Sequence, residues 1–208
     1  MEKMKSSLVN MIVVLVGVAA VTGSVLAWVN NMTEKPIADK AQQTLAEGIR
    51  SVMGATDIKV DEPDSVKMDI QGKPATFVVH NVYAADGAYM GGAVESTTMG
   101  FGGDIKVLVG FNAEGDILGY TVLQASETPG LGAKADKWFQ KDGKGNIIGM
   151  NPSKEELKVN KDGGQVDAIT ASTITTRAFL KAVNQAYAAY RHNDNDTDAD
   201  SGATKQKH

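Results

Sequence analysis

Two eight-residue runs rich in Val, Ile and Leu, residues 104–111 (DIKVLVGF) and 117–124 (ILGYTVLQ), flank Asn112-Ala113-Glu114-Gly115-Asp116. β-Branched runs on either side of a short Gly- and Asn-bearing loop read as a β-hairpin. Ile105, Val107 and Val109 alternate, which predicts one buried face. Working outward, residues 74–83 carry Val, Phe and Tyr and read as a further strand. Residues 143–152 are a Gly- and Asn-rich loop. Residues 174–191 place Ile174, Ala178, Val183, Ala186, Tyr187 and Tyr190 at helical spacing. The predicted fold class is α+β, a mostly antiparallel domain with flanking helices. Residues 193–208 are polar, Asp-rich and aperiodic, and are predicted to be a disordered acidic tail.

At the other end, residues 6–33 carry no charge, and 17 of the 22 residues from Leu8 to Val29 are apolar. At ~1.5 Å per residue such a helix spans ~33 Å, which matches a hydrocarbon core of ~30 Å. This predicts a single transmembrane helix. The competing reading is a cleaved signal peptide ending near Val25-Leu26-Ala27. Lys3 and Lys5 precede the run, so the N-terminus is expected in the cytoplasm, residues 34–192 on the outer face, and Trp28 at the outer interface. Residues 34–54, with Ile37, Ala41, Leu45, Ile49 and Val52 at helical spacing and Gly54 as a stop, are expected to lead from the membrane to the domain.

The chain of 208 residues has no cysteine, which excludes disulfides, thiolate metal sites and cysteine nucleophiles on this chain. His80, His192 and His208 are too few and too scattered for a histidine-rich metal centre, and His80 reads as a packed or surface strand residue. A net charge of −4 lacks the basic footprint of a nucleic-acid binder. No triad, paired-carboxylate, P-loop or Rossmann spacing is present.

Three stretches carry the remaining chemistry. Gly100-Phe101-Gly102-Gly103 is either a plain tight turn or a place of close backbone approach to a ligand. Glu127-Thr128-Pro129-Gly130-Leu131-Gly132 fixes a carboxylate and a hydroxyl beside a Pro-Gly turn. Its Leu131, between two glycines, is poorly used unless a flat ligand covers it. Thr170, Ser172, Thr173, Thr175 and Thr176 place five hydroxyls within seven residues at the start of the 174–191 helix. One suffices as a cap, and a helix N-terminus also suits a phosphate.

These residues, in this order, with Trp138-Phe139, Gly163-Gly164 and the Asp167-x-x-Thr-Ala-Ser-Thr173-x-Thr175 run, resemble the covalent-FMN-binding domain found in the G subunit of Rnf electron-transport complexes. The same domain occurs in the C subunit of sodium-translocating NADH:quinone reductase. The resemblance covers nearly the whole chain. It implies an electron-carrying subunit of a redox-driven, ion-translocating ferredoxin:NAD oxidoreductase, with no independent catalytic site, held in the cytoplasmic membrane among other subunits. It also implies that a flavin transferase joins FMN through its phosphate to Thr173. Glu127, Thr128, Leu131, Gly132, Thr170, Ser172 and Ile174 would then surround the cofactor. Ala171 and Ser172 stand where the family often has Gly and Ala, and Ala125 where many members have His. Ser201-Gly202-Ala203-Thr204 repeats the family's attachment motif, yet Lys205 and Gln206 follow it and no apolar helix does, so Thr173 is the expected acceptor. The quinone-reductase subunit is the near alternative, and a cofactor-free anchored binding or assembly module is the alternative of a different class.

Overall fold

A computed structural model of the chain describes residues 8–70 and 72–203. Lys3, Lys5 and Thr204, and the side chain of Ile37, lie outside the described residues. The elements are α1 (Leu8–Met53), β1 (Ile58–Val60), β2 (Asp64–Ile70), β3 (Lys73–Ala84), β4 (Tyr89–Met99), β5 (Asp104–Asn112), β6 (Ile117–Ala125), α2 (Ala135–Trp138) and α3 (Thr173–Ala203). The chain divides into two compact units, Met1–Thr44 and Leu45–His208. In the first, Leu8–Glu34 is a helix long and apolar enough to cross a membrane, with none of its apolar stretch buried.

The second unit is a six-stranded antiparallel sheet in the order β1-β3-β4-β5-β6, with β2 pairing beside β1 along the same edge of β3. The hairpin expected from residues 104–124 is β5–β6, with Val109 opposite Tyr120 and Gly110 opposite Gly119. Side chains alternate across a strand. Ile105, Val107, Val109 and Phe111 accordingly pack with Phe179, Val183, Ala186 and Tyr190 of α3 in one core.

The expectation of one buried face is incomplete, because β5 is buried on both. Leu108 joins Val82 and Ala93 in a second core against Ile49, Val52 and Met53 at the end of α1. The 34–54 helix is thus more than a lead-in, since its last turns complete the domain. Close approach is what permits this. A Cβ on either Gly110 or Gly119 would stand 2.8 Å from the carbonyl oxygen of Val52, so the cross-strand glycine pair forms the hollow in which the helix end rests.

At its other end α3 runs to Ala203, beyond the point where the sequence predicts disorder. Asn193 is buried and donates from Nδ2 to Asn81 Oδ1 at 3.3 Å, so the domain's polar core extends past residue 192.

On the same sheet face as Leu108, His80 is packed rather than exposed. Its Nε2–H donates to Glu95 Oε1 at 2.9 Å, while Lys106 Nζ meets Glu95 Oε2 at 2.5 Å. The His80 hydrogen bond, helped by Lys106 and opposed by burial, holds the Glu95 carboxyl below its ordinary range. A carboxyl depressed in the folded state contributes stability above its unfolded pKa of about 4.3, and loses that contribution as pH falls through the folded value. Acid titration followed by circular dichroism should therefore show stability falling below about pH 4, and Glu95→Gln should flatten that slope.

Candidate functional site

The site forms where the β4–β5 turn, the loop after β6 and the first turn of α3 meet. A cavity of about 410 Å³ is lined by Glu127, Thr128, Leu131 and Gly132 from the loop and by Ser172, Thr173 and Ile174 from the helix start. These two groups are 40 or more residues apart in sequence. Phe101, Ala171 and Thr175 complete the wall. The apolar contribution comes from Phe101, Leu131 and Ile174, which are 69%, 38% and 54% exposed at the mouth. Thr170 does not line this cavity. It faces the adjoining cleft.

Glu127 holds the three segments together. Its Oε1 accepts from the N–H groups of Phe101 at 2.7 Å and Gly102 at 3.3 Å, and its Oε2 accepts from the Thr175 hydroxyl at 2.7 Å. Charge-assisted bonds of this kind are roughly twice as strong as neutral ones. The surrounding glycines are needed for the approach. A Cβ on Gly132 would run into Glu127 Oε2 and stand 2.8 Å from Thr175 Oγ1, and one on Gly102 would run into the Ser126 carbonyl oxygen. The Gly100–Gly103 stretch is therefore both of the things its sequence allows, a tight turn closed by Gly100 N–H donating to Gly103 O at 2.8 Å and a wall of the cavity.

The loop is anchored from below by Tyr120 of β6. Its buried hydroxyl donates to Ala135 O at 2.6 Å and accepts from Phe139 N–H at 3.2 Å, fixing α2 directly after Gly132. Burial pushes the Tyr120 phenol far above its ordinary pKa, so it acts as a neutral hydrogen-bonding post.

At the helix start the five hydroxyls separate by role. Ser172 is the cap residue, and its carbonyl accepts from Thr176 N–H at 3.0 Å. Thr176 Oγ1 donates to that same carbonyl and accepts from Ile169 N–H. Thr175 serves Glu127, and Thr170 is exposed. Thr173 opens α3 with its hydroxyl at the cavity and no hydrogen-bond partner for it among the described residues. The N–H groups of Thr173, Ile174 and Thr175 likewise have no acceptor among the described residues. An unfilled first turn of this kind attracts an anion.

The residues present fit FMN. The cavity lies within the usual ~300–1,000 Å³ of cofactor sites, with apolar walls and a few convergent polar groups. Gly132 supplies an opening that a side chain would fill, and the Thr173 hydroxyl and the helix N–H groups suit a phosphate.

Just before the helix, Ser172 N–H donates to Ile169 O at 3.0 Å, closing a turn in which Ala171 has φ +61°. It is the only non-glycine residue with positive φ among the described residues. A left-handed alanine costs ~1–2 kcal/mol, while glycine loses ~0.5–1 kcal/mol in backbone entropy. Ala171→Gly is therefore expected to stabilise the domain by ~0.5–1 kcal/mol, a rise in Tm of roughly 1–4 °C in a thermal melt.

Phe101, Ala171 and Thr175 are the wall residues that the sequence reading leaves unassigned, and of these Phe101 carries a signal of its own. An aromatic side chain set between glycines in a hairpin turn, where nothing local can bury it, is the signal that marks it.

The three segments that form the site fall within a region matched to a known domain family. Residues 100–188 match the FMN-binding domain family. The G subunit of the Na(+)-translocating ferredoxin:NAD(+) oxidoreductase complex of Acetobacterium woodii is 30% identical over 190 residues, covering 86% of this chain and 89% of that protein. The G subunit of the ion-translocating oxidoreductase complex of Cereibacter sphaeroides is 31% identical over 169 residues, covering 79% and 76%. That of Shewanella baltica is 41% identical over 98 residues, so the match spans about half the length of that relative, 45% of each chain. The chain belongs to the family of G subunits of ion-translocating oxidoreductase complexes, and it carries an FMN-binding domain.

Proposed function

We propose that this chain, as a member of that family, is a membrane-anchored flavoprotein subunit that carries FMN covalently on Thr173. It passes electrons within a ferredoxin:NAD oxidoreductase complex that moves ions across the cytoplasmic membrane. The observation that carries this reading is the cavity in which a threonine hydroxyl and helix N–H groups, without partners among the described residues, converge with an apolar mouth. When bound, FMN supplies the one- and two-electron redox chemistry. The chain's own residues place it. Thr173 would hold the FMN phosphate as an ester: as its Oγ–P bond forms, the P–O bond to the flavin donor's leaving group breaks and that group departs with the hydroxyl proton, and the N–H groups of α3 would receive the remaining phosphodiester charge. Phe101, Leu131 and Ile174 give apolar contact to the ring, and Thr128 and Ser172 give polar contact. Glu127 keeps the two walls in register.

On this reading residues 1–33 are the cytoplasmic stub and anchor, and the FMN domain that follows faces outward. Attachment is made by a flavin transferase, and the partners are the other subunits of the complex. No acid or base on this chain would be required, because a flavin held at this open mouth would pass electrons to and from partner subunits without a substrate pocket. Co-expression with a flavin transferase, followed by denaturing electrophoresis, tests the proposal. A fluorescent band at this chain's mass is expected. A colourless, non-fluorescent band, with the transferase active on a control acceptor, would overturn it.

A further inference from the structure

Thr173 and Ala171 border two cavities at once. Beside the apolar one lies a polar cleft of about 330 Å³, lined also by Trp138, Lys144, Asn160, Lys161, Asp167 and Thr170. We infer that this cleft is an anion subsite: resting on the reading above, it seats the phosphodiester at Thr173, and Lys144 and Lys161 are the positioning residues that balance its charge.

Both lysines stand on built turns. Lys144 sits in a loop folded back on Trp138, where Gly143 N–H donates to Gln140 O at 2.8 Å, Gly145 N–H to Trp138 O at 3.1 Å and Asn146 N–H to Gly143 O at 3.2 Å. The Trp138 indole N–H donates to Asp167 O at 2.8 Å, which ties that loop to the segment entering α3. Lys161 lies in the helical turn Asn160–Asp162. That turn is joined to the same segment by Asn160 N–H donating to Val166 O at 2.9 Å and by Asn160 Nδ2 donating to Asp167 Oδ1. Both turns thus converge on Asp167, six residues before Thr173.

The charge pattern points the same way. Lys106, Lys154, Lys158 and Arg177 each have a carboxylate partner. Lys144 and Lys161, like several other lysines, have none among the described residues, and what sets these two apart is that they line one cleft with Asp167, whose carboxylate is engaged by Asn160. Two ammonium groups against one carboxylate leave the cleft one positive charge in excess. A phosphodiester carries one negative charge. The apolar cavity offers it the N–H groups of α3 but no cation, so a phosphate held by those N–H groups at Thr173 would face the two lysines across the polar cleft while the ring lies on the apolar side.

The test compares full-length chain in detergent, with and without attached flavin, as wild type, as K144Q/K161Q and as K144R/K161R. Melting temperatures are read at low and at high NaCl. Attachment is expected to raise the wild-type Tm, and the rise should shrink as salt screens exposed charges beyond ~10 Å at 0.1 M. The glutamine pair is expected to lose at least half of the rise and most of its salt dependence, while the arginine pair keeps both. Failure of the glutamine pair to accept flavin, with the arginine pair accepting it normally, would equally support a charge requirement. An equal rise in the glutamine pair and wild type at both salt concentrations would overturn the inference and leave the Thr173 reading intact. So would loss of attachment in both pairs with native circular dichroism. Flavin absent from the wild-type Thr173 peptide would instead overturn the Thr173 reading, and this inference with it.

Discussion

Thr173→Ala is expected to abolish covalent flavin while leaving the domain folded. Its hydroxyl serves no described hydrogen bond, and Ser172 still caps α3 through its carbonyl. Alanine is also the best helix former at such a position. The apo-protein Tm should thus move by no more than the ~0.5 kcal/mol typical of a substitution away from packing and caps. Flavin fluorescence on a denaturing gel should fall to the transferase-free background. A band of wild-type brightness would place the attachment elsewhere, and the Ser201-Gly202-Ala203-Thr204 motif would be the first alternative to examine.

The second large effect is expected at Glu127. Replacing it with Ala leaves the buried Thr175 hydroxyl without its acceptor and releases Phe101 N–H and Gly102 N–H. Hydrogen bonds to a charged group contribute ~1.5–3 kcal/mol each. The two exposed N–H groups regain water, so the net loss is expected at about 2–4 kcal/mol, or roughly 5–15 °C in Tm. Flavin attachment should fall as well, because the β4–β5 turn is no longer held against the helix start. Glu127→Gln separates the causes. Its oxygen still accepts from Phe101 N–H and its amide donates to Thr175, so the fold should lose less than ~1 kcal/mol. The flavin midpoint potential should nevertheless rise, because a negative charge has left the cavity wall. A Glu127→Ala protein that melts within about 2 °C of wild type would contradict the bracing role.

How legible the fold is in the sequence varies by element. The β5–β6 hairpin is plain because Ile105, Val107 and Val109 alternate beside a turn with Gly115 in it. β4 is not, since Gly91-Gly92 and Ser96-Thr97-Thr98 dilute the apolar signal. Its glycines answer to distant partners. A Cβ on Gly92 would stand 3.0 Å from the ring of Tyr190, about a hundred residues away. The docking of the α1 end on Gly110 and Gly119 is hidden for the same reason. Glycine in a strand announces that something comes close without saying what.

The candidate site is more readable. Glu127, Thr128, Leu131, Gly132, Ser172, Thr173 and Ile174 stand out in two segments of the sequence, and the structure brings them into one cavity. Thr170 falls on the neighbouring cleft, because the left-handed Ala171 turns the chain between it and Ser172. What the sequence withholds is the bracing by Glu127, whose partners lie 25, 26 and 48 residues away and are two backbone N–H groups and a hydroxyl. Backbone donors leave no trace in residue identity.

Peptide-level mass spectrometry of protein co-expressed with a flavin transferase decides whether FMN is joined to Thr173. The mass of FMN less one water is expected on the peptide that contains Thr173. The same mass on the peptide containing Thr204, or an unmodified Thr173 peptide from protein exposed to a demonstrably active transferase, would contradict it.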